Sequence, residues 1–165
     1  MNIFAYDPCY VQSATWLDDV RSNKMIVESS QLMSTAMHVL TPGHGKRVYK
    51  LSFLNHPCAI WARASQANFT WLLNYTETLY EQRKRAHKTS RLFPIFRTFA
   101  NDRSNFPLTR QTPFVNCARS KDVGVDYTHI RNVHAAYRLY HRERWSMDTI
   151  NLSWHHGQEP TWRHA

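Results

Sequence analysis

Apolar residues recur at helical spacing in several stretches of this chain, and the breaks between them are equally clear. In residues 23–40, NKMIVESSQLMSTAMHVL, a Met/Ile/Leu face stands opposite Lys24, Glu28, Gln31 and Thr35. Steps of four, three and four put those polar residues on one stripe of a helix. Thr41-Pro-Gly-His-Gly ends it, because Pro and Gly break helices. Upstream, Asp7-Pro8 resembles a helix start, and Val11, Ala14, Leu17 and Val20 predict a first helix over residues 9–21. Residues 46–54, KRVYKLSFL, read as a basic connector. Residues 55–88 predict one long helix capped by Asn55, with Pro57 in its first turn. Trp61, Leu72, Tyr75 and Leu79 form its apolar stripe, interrupted by Ser65 and Asn68, and it ends in the basic run Arg83, Lys84, Arg85, His87, Lys88. A last helix, capped by Asp126, turns Ile130, Val133, Tyr137 and Tyr140 inward and leaves Arg131, His134, Arg138, His141 and Arg142 on other faces.

Residues 89–125 lack such periodicity. Pro94, Pro107 and Pro113 recur there among Phe, Arg and Asn, which predicts loops and short turns packed by aromatics. Strand signals are scarce. The expected fold is therefore all-α and mostly helical: a single compact domain over residues 1–165, with three to four main helices and a long irregular segment near 89–125. Its length of 165 residues suffices for a real core, and 42% hydrophobic content with only 4 Gly argues against disorder.

Charge narrows the partner. Lys and Arg total 21 against 12 Asp and Glu, a formal net charge of +9 before any of the 10 His is protonated. A small basic domain suits a polyanion, with nucleic acid first. Cys9, Cys58 and Cys117 are odd in number and widely spaced, which favours a reduced, intracellular setting over a disulfide framework. No secretory pattern opens the chain, and no apolar run reaches membrane-spanning length, so no membrane partner is expected. His155, His156 and His164 lack zinc-site spacing, and no Walker, GxGxxG or GxSxG motif occurs. Neither metal nor cofactor is expected.

Three constellations carry candidate chemistry. Lys24 and Glu28 pair an amine with a carboxylate. An amine attacks an electrophilic sugar carbon to form a Schiff base, and a carboxylate moves protons and stabilises adjacent positive charge. The α-amine starts near a pKa of about 8 against about 10.4 for a lysine, so the N-terminal amine is the better intrinsic nucleophile if the chain's start folds back onto this helix. An i,i+4 Lys/Glu pair also commonly just decorates a helix. The second constellation is NHPCAIWARASQANFTWL. His56 suits a general acid, a phosphate contact or a local cap, while Ser65 and Asn68 either tie helices together or meet a ligand. The third is the basic, aromatic C-terminal third, where Arg138, His141, Arg142 and Arg144 suit phosphates and Trp154 and Trp162 suit base stacking, or else form a solvated basic face with packing tryptophans.

Together the segments DDVRSNKMIVESSQL, NHPCAIWARASQANFTWL, HAAYRLYHRERW and EPTW resemble the pyrimidine-dimer DNA glycosylases of the phage endonuclease V type and their phage relatives, over residues 2 to 162. The resemblance implies a compact helical domain whose N-terminal amine attacks the deoxyribose C1′ of a damaged nucleotide, followed by strand cleavage through the same imine. It places catalysis on Met1 or Asn2 and Glu28, with Lys24 in reserve. Arg21, Gln31, His56, Ser65, Asn68, Arg138, His141, Arg142 and Trp162 would position double-stranded, damaged or modified DNA, with the protein acting as a monomer in the host cytoplasm. Two positions depart from the family pattern: Asn2 is larger than the small residue that usually follows Met1, and Gln31 stands where the family has a phosphate-contacting cation. A non-catalytic DNA-binding phage accessory protein and a nucleotide- or base-modifying enzyme on the same scaffold are the alternative expectations.

Overall fold

The longest helix begins at Asp18, which caps α2 (Asp19–Leu40) by accepting the Arg21 N–H at 3.0 Å. A computed structural model of the chain describes residues 2–83 and 88–165; Met1 and the Lys84, Arg85 and His87 part of the basic run lie outside the described residues. The fold is mostly helical, with six α-helices among the described residues and a two-residue antiparallel strand pair. The helices are α1 (Tyr10–Thr15), α2, α3 (Pro57–Ala64), α4 (Gln66–Gln82), α5 (Phe93–Asn101) and α6 (Val133–Ser146). The strands β1 (Arg119–Ser120) and β2 (Val125–Asp126) pair Arg119 with Asp126 and Ser120 with Val125. No helix among the described residues is long and apolar enough to cross a membrane.

Helix α4 is the hub, packing on α1, α2, α3 and α5. In its partner α2, Ser22, Ser30 and Ser34 are buried, and each returns its hydroxyl proton to the carbonyl four residues back, at 2.7–2.8 Å. A back-bonded serine has no unsatisfied donor and little bulk, so it packs as a small core residue. This is why α2 buries more of its circumference than its apolar residues alone predict.

Several elements differ from the sequence expectation. The expected long helix over 55–88 is two helices, broken at Ser65, whose backbone is extended. Ser65 Oγ accepts the Asn68 N–H at 3.1 Å, and the carbonyls of Leu108 and Thr109 take the N–H groups of Gln66 and Ala67. The free donors of a helix start are thus satisfied by a chain segment over 40 residues away. The cap of α3 is His56 rather than Asn55. Helix α6 starts six residues later than expected and is capped by Asn132, while Asp126 belongs to β2. Within the irregular segment, α5 is a helix: Pro94 occupies its first turn, where a missing N–H costs nothing, and Phe93, Phe96, Phe99 and Ala100 are buried.

Both ends of the chain dock on this frame. Residues 2–6 run along α6, where the His134 ring meets the Ala5 carbonyl at 2.7 Å and Arg138 Nε donates to the Tyr6 carbonyl at 2.8 Å. Ile3, Ala5 and Tyr6 are fully or almost fully buried. The C-terminal tail crosses α1 at Gly157, where an added Cβ would lie 2.4 Å from the Thr15 carbonyl oxygen, so only glycine permits the approach.

Candidate active site

The threaded N-terminus and α2 meet at Glu28. The backbone nitrogen of Asn2 donates to Glu28 Oε2 at 3.2 Å, and Lys24 Nζ lies 3.5 Å from Glu28 Oε1. The Asn2 side chain fixes this position. Its Nδ2 donates to the Cys117 carbonyl at 2.9 Å, and its Oδ1 accepts from the Tyr137 hydroxyl at 2.7 Å and from the Ile3 N–H at 2.8 Å. With Asn2 8% exposed and held from three elements, the start of the described chain is a rigid part of the core.

Glu28 and Asn2 open onto a cavity of about 540 Å³. Arg21, Lys24, Arg119, Lys121 and Arg144 line it against Glu28 and Asp122, so the lining is net positive and suited to a phosphate-bearing ligand. His56 and Pro57 from the start of α3, Asn116 and Cys117 before β1, and Phe4, Tyr140 and His141 complete the wall. His56 is both cap and wall: its Nδ1 accepts the Cys58 N–H at 3.2 Å, and burial lowers its pKa against the opposing pull of Glu28.

His141 forms the floor. It is fully buried, boxed by Phe4, Tyr6, Tyr140 and Trp145, and its Nδ1 meets the Tyr6 hydroxyl at 2.9 Å. Burial, reinforced by Arg21 and Arg144, holds its pKa well below the usual imidazole value, so the ring is neutral. Among the described residues its Nε2 has no hydrogen-bond partner. Cys58 and Cys117 are free thiols with sulfurs 3.8 Å apart beside Asn2. Cys58 donates its proton to Cys117, which lowers the Cys117 thiol pKa and raises that of Cys58. Among the described residues no group of three or more His, Cys, Asp or Glu side chains is arranged to hold a metal ion.

Of the residues singled out from sequence, Asn2, Arg21, Lys24, Glu28, His56, His141 and Arg144 line the cavity. Met1 lies outside the described residues. Arg21 is already engaged, bridging buried Asp18 and Asp148. Gln31 is half-buried and outside the cavity wall.

The other residues lie outside the cavity wall. Ser65 is a helix cap, and Asn68 is a fully buried strut that donates to the Trp61 carbonyl at 2.8 Å and Thr112 Oγ1 at 2.7 Å while accepting the Thr112 N–H at 2.9 Å. Arg138 holds Tyr6 and Asp7 and lies over Trp16. Arg142 donates to the Ala165 carbonyl, and Trp162 stacks on Trp145 at 5.4 Å within a cluster that includes Tyr6 and Trp16. None of these five lines the cavity: the polar or aromatic groups of Ser65, Asn68, Arg138 and Trp162 are engaged within the fold, while Arg142 is exposed.

Sequence reasoning missed Asn116, Cys117, Arg119, Lys121, Asp122 and Thr128, which reach the cavity from the irregular segment and its strand pair. No local periodicity marks them; the glycine of the Lys121–Gly124 turn is the available cue to a hairpin. The chain matches no protein-family model, no curated protein and no solved structure.

Proposed function

We propose that this protein is a DNA glycosylase/AP lyase that acts on damaged or modified DNA through its N-terminal amine, with Glu28 as the acid/base. The observation that carries this reading is the hydrogen bond between the Asn2 nitrogen and Glu28 at the cavity wall. If Met1 is removed, that nitrogen is the α-amine; if it is retained, the amine is one residue away along the chain. At pH 7 roughly one α-amine in ten is neutral, about 250 times the neutral fraction of an ordinary lysine amine. Lys24, whose side chain is 72% exposed, is the reserve amine.

The amine lone pair adds to C1′ of the nucleotide. The C1′–N bond breaks with its electron pair going to the base, which takes up a proton. Loss of the amine proton and opening of the sugar ring give an imine. Glu28 then removes a C2′ proton, and the C3′–O bond breaks with its electrons leaving on the 3′ phosphate. The cationic lining supports the phosphates on either side.

Borohydride trapping tests this. The protein is incubated with abasic-site or dimer-containing duplex under borohydride, and the adduct is mapped by mass spectrometry. A covalent adduct on the terminal amine, reduced at least about 100-fold in rate by Glu28→Gln, is the expected result. An adduct on Lys24 moves the nucleophile. DNA binding with neither adduct nor cleavage refutes catalysis and leaves a binding protein, and binding of free nucleotides alone favours a nucleotide-modifying enzyme.

A further inference from the structure

We infer that the loop preceding α3 is a wedge that enters the base stack of duplex DNA beside the cavity, with Phe53 at its tip. The inference rests on the DNA-binding half of the function proposed above and not on its chemistry. Leu51, Phe53 and Leu54 lie within four positions and are 50%, 56% and 40% exposed. Each of the other seven phenylalanines is buried or half-buried. Phe53 also has φ +53°, and among the described residues it is the one non-glycine with positive φ. A bulky side chain there is both strained and bare to water, a combination that folding alone disfavours and that clusters at functional sites.

The loop is nevertheless held firmly. Thr35 Oγ1 donates to the Ser52 carbonyl at 2.8 Å and accepts the Ser52 N–H at 3.2 Å. Ser34 Oγ accepts the Tyr49 N–H at 3.2 Å, and the Phe53 carbonyl accepts the His56 N–H at 2.9 Å. Helix α2, which carries Glu28, therefore fixes the backbone that projects Phe53 outward. His56 and Pro57, one turn further on, line the cavity. Lys46, Arg47 and Lys50 are exposed on the approach and complement phosphates. An apolar tip flanked by cations next to a nucleotide-sized cavity fits insertion between base steps, which offsets the unstacking needed to extrude a nucleotide.

The test uses the full chain and a duplex holding a non-cleavable abasic analogue with 2-aminopurine at the adjoining step. Wild-type protein is expected to raise the 2-aminopurine fluorescence on binding. Phe53→Ala and Phe53→Gly should bind this duplex at least 10-fold more weakly with no fluorescence rise, yet bind the same single strand within 2-fold of wild type. Phe53→Gly relieves the positive φ, so its melting temperature should equal or exceed wild type and exclude unfolding as the cause. Wild-type fluorescence and affinity in both variants would overturn the wedge while leaving the DNA reading standing. Binding of neither duplex nor single strand by wild type would overturn both. Phe53-dependent self-association without any Phe53 effect on DNA would replace the wedge with a protein interface.

Discussion

Replacing Asp18 tests how the site is held together, and Asn is the informative replacement. At an ordinary N-cap, Asn serves as well as Asp. Here the carboxylate does more than cap: Oδ1 accepts the Arg21 N–H, while Oδ2 accepts from Trp145 Nε1 at 3.0 Å and Arg21 Nη1 at 3.0 Å. Asp18 is fully buried. An amide keeps one oxygen, so its NH2 must face either the cap donor or two donors at once.

Asp18→Ala loses a cap of about 1 kcal/mol and strands a buried indole N–H at a cost of about 1–3 kcal/mol. Arg21 retains Asp148, which limits the charge penalty. The loss is about 2–4 kcal/mol, which for a chain of this size lowers the melting temperature by roughly 10 °C. Asp18→Asn is expected to cost nearly as much, measured by urea and thermal unfolding. In a double-mutant cycle, Trp145→Phe removes the indole donor and should recover about 1–2 kcal/mol of the Asp18→Ala loss. Asn within about 0.5 kcal/mol of wild type, together with an additive cycle, would refute the account.

Two further predictions concern the interior. His141 is buried neutral with its pKa lowered, so below the unfolded value of about 6.5 the unfolded chain binds a proton that the folded chain does not. Its contribution to stability is fully present above pH 6.5 and falls by up to about 1.4 kcal/mol per pH unit as the pH drops toward the folded pKa; urea unfolding from pH 7 to 5 should show this slope reduced in His141→Phe, and an unchanged slope contradicts it. Asn68→Ala strands the Trp61 carbonyl and the Thr112 N–H and should cost about 2–4 kcal/mol, while the variant, assayed well below its melting temperature, traps abasic DNA at the wild-type rate; a selective loss of trapping without loss of stability would return Asn68 to the site.

The polar stripe of α2 shows how far sequence spacing reaches. Lys24, Glu28, Gln31 and Thr35 do share a helix, but they divide along it: Lys24 is exposed, Glu28 faces the cavity, Gln31 is half-buried, and Thr35 is fully buried against Ser52. Ser65 and Asn68 look like intrusions on an apolar stripe for the same reason. Thr112, which holds Asn68, and Leu108 and Thr109, which take the N–H groups of Gln66 and Ala67 after the Ser65 cap, come from a segment whose position no local pattern encodes.

The sequence by itself determined the helical class, the place of Pro57 in the first turn of a helix, the end of α2 at Thr41-Pro-Gly, the basic composition and the prominence of Glu28. These follow from periodicity, capping chemistry and charge, which act over one or two helical turns. Only the tertiary structure decided that residue 2 lies against Glu28, that Arg138 and Trp162 are used in packing, and that Cys117, Arg119 and Lys121 reach the cavity. Those outcomes depend on contacts between residues far apart in the chain, which are selected by the shape of the buried core and by the need of every buried polar group for a partner.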